Sequence, residues 1–236
     1  MLRRPWTTCC VAVVAACSGK PDVLIYSRTN GYRHADAIAA AQTALPAAAP
    51  DVVFDFTEEP LTFHDLARYR AVVFLYTSGN DILDETGKAE LERFVKSGGG
   101  WLGIHSAADT EYVWPFYGEL VVAHFLDHPA VQPATVMLED TEHPALDDVP
   151  AAPWHASDEW YNFASNPRLT TGVHVLATID EGTYVGGTMG ADHPMIWAHE
   201  KLGGRALYSE LGHVADRWME PAFVQHVVSG LTWVID

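Results

Sequence analysis

The chain has 236 residues, enough to bury a full hydrophobic core in one large domain. Its 14 Lys and Arg against 31 Asp and Glu give a formal net charge of −17, which argues against nucleic acid as a partner because phosphate binding needs clustered cations. The same acidity disfavours anionic substrates and suits neutral ones such as sugars, although it also serves simply to keep a protein in solution.

Arg3 and Arg4 form a basic start, and Pro5 to Ala16 is a mostly apolar run too short to span a bilayer. The run ends Val14-Ala15-Ala16-Cys17, which resembles a bacterial lipobox with Cys17 as the acylated residue. Two or more acyl chains, at about 0.8 kcal/mol per buried methylene, would make a stable anchor where one is marginal. Ser18 after the cysteine resembles the sorting pattern for the outer membrane. The expected organisation is therefore a lipoprotein signal over 1–16, a short tether over 17–21, and one α/β domain over 22–236, exported and anchored by lipid. An ordinary cleaved signal, leaving a free periplasmic protein, is the alternative. All three cysteines lie at positions 9, 10 and 17, so the domain has no disulfide, no thiol nucleophile and no cysteine-ligated zinc.

Asp22 to Ser27 is an apolar run that reads as a buried parallel strand. A loop from Arg28 to Arg33 leads into an alanine-rich helix, His34 to Leu45, which Pro46 should stop. Val52 to Phe56 reads as a strand, Leu61 to Tyr69 as a short helix and Ala71 to Tyr76 as a third strand. Asp84 can cap a helix running to Ser97, with Leu91, Phe94 and Val95 on one face and Gly98 just past its end. Trp101 to Ile104 is a fourth strand. This alternation predicts an open, mostly parallel sheet flanked by helices. Further on, Trp114 to Val122 reads as a helix, and Val131 to Leu138, Val173 to Ile179, Met195 to His199 and Arg205 to Leu211 as strands. Pro144 to Pro167 reads as a long functional loop. Pro221 opens a closing helix in which Phe223, Val224, Val227, Val228, Leu231 and Val234 keep helical spacing.

The chemistry gathers at predicted strand ends, where open α/β sheets bind their ligands. His105 follows the fourth strand in His105-Ser106-Ala107-Ala108-Asp109, and Ser106 is not set in a G-x-S-x-G elbow. His213 follows Glu210-Leu211-Gly212. Arg33 and His34 follow the first strand, where a helix N-cap role competes with a site role. A lone histidine is by default a structural, hydrogen-bonded residue; the two beside strand ends and glycines depart from that default. His124 and His128 would form an i,i+4 pair if helical, a weak metal signal. Asp158 and Glu159 sit beside Trp160 and Tyr161, where apolar surroundings raise a carboxylate toward a useful acid or base. A loop pinned by its aromatic residues, with both carboxylates solvated, explains that segment equally well.

In order along the chain, several segments together resemble the ThuA-like (trehalose utilisation) family. They are Tyr32-Arg33-His34, Phe94 to Gly100, Gly103 to Ser106, Phe125-Leu126-Asp127-His128-Pro129, His143-Pro144, Asp158 to Tyr161, Pro194 to Trp197 and Gly204 to His213. The resemblance implies a flavodoxin-like sheet of the class I glutamine amidotransferase type, with His105 where the missing thiol would stand. It also implies catabolism of trehalose-type disaccharides through 3-keto sugars made by a partner sugar 3-dehydrogenase. One departure is His124, where the family pattern has arginine.

An enzyme of that kind needs a base for the proton beside the ketone, an acid for the leaving oxygen and an electrophile for the enolate. The expected roles are His105 as base, Glu159 as acid or second base, and His213 with Arg33 polarising the carbonyl. Arg33, His34, Ser106, Asp109, His128, Asp158 and Tyr161 are expected to contact the sugar. A divalent metal held by histidine and carboxylate is an alternative polarising group. The competing expectations are a non-catalytic sugar-binding lipoprotein stacking sugars on Trp154, Trp160 and Tyr161, and an interaction module on the membrane.

Overall fold

A computed structural model describes residues 22–150 and 153–236; the expected signal, tether and acylated Cys17 lie outside the described residues. Val23–Tyr26 forms β1, buried at all four positions as an apolar run covered on both faces must be. Helix α1 (Ala35–Ala48) follows, then β2 (Phe54–Thr57), β3 (Ala71–Leu75), α2 (Glu85–Lys96) and β4 (Gly100–Ile104). The second half contributes α3 (Pro115–Val121), β5 (Phe125–Asp127), β6 (Gln132–Leu138), β7 (Trp154–Asp158), β8 (Asn162–Phe163), β9 (Val173–Ile179), β10 (Pro194–His199), β11 (Ala206–Ser209) and α4 (Pro221–Ile235).

Nine strands form one sheet in the order β2-β1-β3-β4-β11-β10-β9-β6-β7. The first five in that order are mutually parallel, and β10, β9, β6 and β7 extend the sheet antiparallel. Alternation along β4 sends Trp101 and Leu102 to opposite faces. The Trp101 ring lies 6.0 Å from that of Tyr117 in α3, within a stack that continues through Phe74, Phe63 and Tyr26. On the other face Leu102 pairs in register with Leu207 of β11, which packs against Gly230 of α4. The sheet is thus sandwiched between helices. Gly100 marks where α4 crosses the start of β4: a Cβ there would stand 2.0 Å from the Val234 carbonyl oxygen.

Four expectations of local structure are corrected. Helix α1 does not stop at Leu45 but carries Pro46 in its last turn, closing with the Ala49 N–H on the Leu45 carbonyl. The carbonyl that Pro46 leaves unpaired is that of Gln42, which is exposed, so water can serve it. The short helix over Leu61 to Tyr69 is only a 3-10 turn, Pro60–His64, which buries Phe63. His124 and His128 are not a helical pair, because β5 runs between them. The segment expected as a long loop contains β7, whose alternating burial lets Trp154, Ala156 and Asp158 face inward from the sheet edge.

Two buried histidines, in α4 and β10, should make the fold acid-sensitive. His226 in α4 and His199 in β10 each pair one ring nitrogen, to Ser209 Oγ at 3.0 Å and to the Leu120 carbonyl at 2.8 Å. Burial, reinforced by Arg217, lowers His226 to about 3, and burial lowers His199 to about 4 despite the Leu120 hydrogen bond. Both are neutral when folded, whereas the unfolded chain takes up their protons below about 6.5. Stability should therefore be fully present above pH 6.5 and fall as pH drops below it, with a slope approaching about 2.7 kcal/mol per pH unit from this pair. Urea unfolding at pH 7, 6 and 5 measures the slope, and His226→Gln should flatten it.

Candidate active site

The carboxyl ends of β1, β4 and β11 converge with the end of β7, and each delivers one titratable side chain. His105 is the first residue after β4 and has φ of 50°, a left-handed conformation that costs a non-glycine residue free energy and is found where surrounding structure enforces it. Tyr208 enforces it here by donating its hydroxyl to the His105 carbonyl at 2.8 Å. The His105 ring is held as well, since its Nδ1 lies 2.7 Å from the Glu210 carbonyl oxygen. A carbonyl only accepts, so Nδ1 carries a proton, and in the neutral ring Nε2 presents a lone pair. His34 stands at the N-cap of α1 but makes no capping hydrogen bond with its side chain. The helix leaves its ring free, and Nδ1 meets Ser106 Oγ at 3.3 Å.

His213 brings the third imidazole. Its Nδ1 lies 3.1 Å from His34 Nε2, 3.2 Å from His105 Nε2 and 3.0 Å from Glu159 Oε2. Glu159 Oε2 is also 3.5 Å from His105 Nε2, and its other oxygen is 3.0 Å from His128 Nδ1. Residues 34, 105, 159 and 213 thus offer donor atoms all within 4.8 Å of one another, although 179 positions of sequence separate the first from the last. Burial acts to raise Glu159, but hydrogen bonds and charge from His105 and His213 outweigh it and leave the carboxyl well below its ordinary value. Burial, with His105 and His213 opposing a third positive charge, lowers His34 to about 3.

His34, Glu159 and His213 floor a cavity of about 340 Å³ also lined by Tyr32, Asp109, Phe125, His128 and Tyr161, and His105 lies buried behind them. That volume lies at the small end of ligand sites, which run about 300–1,000 Å³. Tyr161 packs its ring 4.4 Å from that of His105 and 4.3 Å from that of Phe125, making one apolar wall. Asp109 accepts the Tyr112 hydroxyl at 2.6 Å, and burial outweighs that bond and raises its carboxyl. Tyr32, His34 and His213 also line a neighbouring cavity of about 530 Å³ reaching Arg33, Asp36 and Asp216.

The ThuA family, described as trehalose utilisation, matches residues 22–234. The chain belongs to the ThuA family. Among solved structures, a ThuA-like protein from Bacteroides uniformis is 24% identical with a TM-score of 0.78, over 95% of each chain. Another from Parabacteroides merdae is 18% identical with a TM-score of 0.72, over 92% of this chain and 90% of that one. The fold also matches part of a β-galactosidase from Bacillus circulans, at 13% identity and a TM-score of 0.59, covering 91% of this chain and 31% of that one. Comparison with curated proteins finds no match. A ThuA membership over the whole described domain points to sugar metabolism, while the chemistry must be read from the site itself.

Of the residues singled out in the sequence, His34, His105, Ser106, Asp109, His128, Glu159, Tyr161 and His213 gather here. Four do not line the cavity that Glu159 lines: His105 and Ser106 lie buried against its floor, while Arg33 and Asp158 stand apart from it. Arg33 forks onto Glu58, with Nη2 at 2.6 Å, and faces the neighbouring cavity. Asp158 is fully buried beneath the site. Its Oδ1 accepts the Glu159 N–H at 3.1 Å, and its Oδ2 accepts the Gly212 N–H at 2.8 Å and stands 3.3 Å from Arg217 Nε. It positions Glu159 and His213 and cannot touch a sugar. Of the two roles expected of Glu159, acid or second base, the second fits a carboxyl that, despite burial, His105 and His213 draw well down. The stacking platform fails at both tryptophans: Trp160 and Trp154 are buried, with their indole N–H groups on the Gln132 and Pro150 carbonyls.

Glu210 escaped the sequence reading. It is fully buried, accepts the Tyr161 N–H at 3.2 Å and is pushed well up by burial and by Asp158. Its signal was a carboxylate inside the apolar run Leu207 to Leu211, directly after a strand.

Proposed function

We propose that the protein breaks the glycosidic bond of 3-keto-glycosides of the trehalose type, taking as substrate the product of a sugar 3-dehydrogenase. The single observation that carries this reading is the convergence of three imidazoles and one anionic carboxylate at one small cavity, His34, His213 and Glu159 lining it and His105 packed directly behind them. A ketone at C3 acidifies the C2 proton. A base removes it, and its bonding pair becomes the C2=C3 bond of an enolate whose negative charge rests on oxygen. As the ketone re-forms, that pair makes a C1=C2 bond, the bond from C1 to the glycosidic oxygen breaks, and the departing oxygen takes a proton. Water adding across C1=C2 turns the elimination into net hydrolysis.

His105 suits the base role because its Nδ1 proton is committed to the Glu210 carbonyl, leaving Nε2, which stands 3.2 Å behind His213 Nδ1, as the acceptor. His213, partly exposed at the cavity floor, can donate toward the enolate oxygen. Asp109, raised by burial, suits the proton donor to the leaving oxygen better than Glu159 does. The two cavities that share Tyr32, His34 and His213 would take one sugar ring each.

Incubating the purified protein with 3-keto-trehalose should release glucose, followed by chromatography, while unoxidised trehalose should stay intact. Equal turnover of both sugars would remove the ketone from the mechanism, and turnover of neither would remove this substrate class.

A further inference from the structure

The geometry points to a site for one divalent first-row transition ion, of the Zn²⁺ kind, held by His34 Nε2, His105 Nε2, His213 Nδ1 and Glu159 Oε2. Donors about 2.0–2.1 Å from an ion stand about 3.3 Å apart at tetrahedral angles and about 2.9 Å apart at right angles. Four of the six separations between these donors are 3.0, 3.1, 3.2 and 3.5 Å, at or just beyond that interval, and all four atoms lie within 4.8 Å of one another.

While the three imidazoles are neutral, proton counting leaves this cluster short of donors. His105 spends its ring proton on the Glu210 carbonyl, so Nε2 can only accept. Glu159 Oε2 can only accept as well. A proton on His213 Nδ1 can satisfy one of Glu159, His105 and His34, which all lie within 3.2 Å of it. At least one buried lone pair would be left facing others, a costly arrangement that a shared cation removes.

The outer partners also match a metal centre. Ligating imidazoles characteristically bond through their second nitrogen to a carbonyl or other polar group, which fixes the ring and the tautomer. His105 does so to the Glu210 carbonyl and His34 to Ser106 Oγ. Three imidazoles with one carboxylate select a borderline transition ion over Mg²⁺ or Ca²⁺, which take oxygen ligands. Three of the four ligands line the cavity, so an ion held by them would be open to a substrate oxygen. This deepens the proposed function, on which its catalytic meaning rests: an ion here would draw charge onto the C3 oxygen. His105 would then be a ligand, and proton transfer would pass to His128 and Asp109 on the cavity wall.

The test is metal uptake measured without sugar. Protein stripped with chelator and dialysed should take up one Zn²⁺ per chain by calorimetry and elemental analysis, and Co²⁺ should give visible absorption bands. His213→Ala and Glu159→Gln, each checked for native circular dichroism, should lose stoichiometric uptake. Ser106→Ala, touching only the outer partner of His34, should weaken it about 10–100-fold. His155→Ala, on the exposed side of β7, should change nothing. Folded protein that takes up no ion at micromolar Zn²⁺, or uptake that survives both ligand variants, would overturn the site. Loaded protein inert on keto-glycosides would leave the site standing and sink only the substrate reading.

Discussion

Replacing His105 with asparagine should lower glucose release from 3-keto-trehalose at least about 100-fold, within the roughly 10²–10⁴ range that a positioned proton-transfer group supplies. Asparagine is the informative substitute because it tolerates the left-handed backbone that His105 adopts at φ of 50°, whereas alanine would add strain to the loss of the ring. Glu159→Gln should fall by a similar factor. Its amide keeps the shape of the carboxylate but cannot supply the negative charge now set against His105, His128 and His213. The two residues share a partner in His213, so the double variant should lose little more than either single one. Steady-state rates for the three variants, with circular dichroism showing intact folds, decide the matter. Turnover within a few-fold of the parent in either single variant would take that residue out of the machinery. The assignment of His105 is then refined by chelation. If His105 is a free base, chelator leaves the parent's rate unchanged; if it is a ligand, chelator should reproduce the loss seen in the variant.

The parallel half of the sheet was plain in the sequence because buried parallel strands are unbroken apolar runs, as Val23–Tyr26, Ala71–Leu75 and the end of Gly100–Ile104 are. The edge strand β7 was hidden. Its WHASD sequence alternates correctly but is short, lies among prolines and carries polar side chains on the exposed side. At the site, strand-end position found His105 and His213, since topology alone sends such residues to one edge. Asp158 and Glu159 show where that logic fails. Neighbouring residues at the end of a strand point to opposite sides, so one enters the cavity and the other is sealed below it, and the sequence does not say which. Arg33 failed for a different reason. Its partner Glu58 follows β2 and pairs with it only once β1 and β2 lie side by side. Arg217 carried no signal at all, because a lone arginine in Ala215–Met219 looks like an exposed residue until the fold buries it.

That buried arginine underlies the largest expected loss of stability. Arg217 and Asp158 are essentially inaccessible to solvent and lie 3.3 Å apart. Arg217 also reaches Glu220, and its guanidinium lies 5.3 Å over the Phe223 ring. Asp158→Ala would leave the arginine charge buried with only Glu220 to oppose it, and would strip the Glu159 and Gly212 N–H groups of their acceptor. Removing one partner of a buried pair costs about 3–5 kcal/mol. At roughly 2–4 °C per kcal/mol for a domain of this size, the melting temperature should fall by about 6–20 °C. Gly212 sharpens the expectation. It holds φ of 116° between two clamps, its N–H on Asp158 and its C=O receiving the Tyr76 hydroxyl at 2.6 Å, and His213 follows directly. Losing one clamp should therefore displace His213 as well as destabilise the fold. Asp158→Asn separates the two effects: its amide oxygen can accept one backbone N–H while the charge is lost, so it should melt early yet keep more turnover than Asp158→Ala at 20 °C. Adding Arg217→Met to Asp158→Ala should recover much of the melting temperature, because an apolar pair is no worse than the ion pair it replaces, without restoring turnover. Recovery of both together would mean that Asp158 matters only for stability and does not position His213 or Glu159.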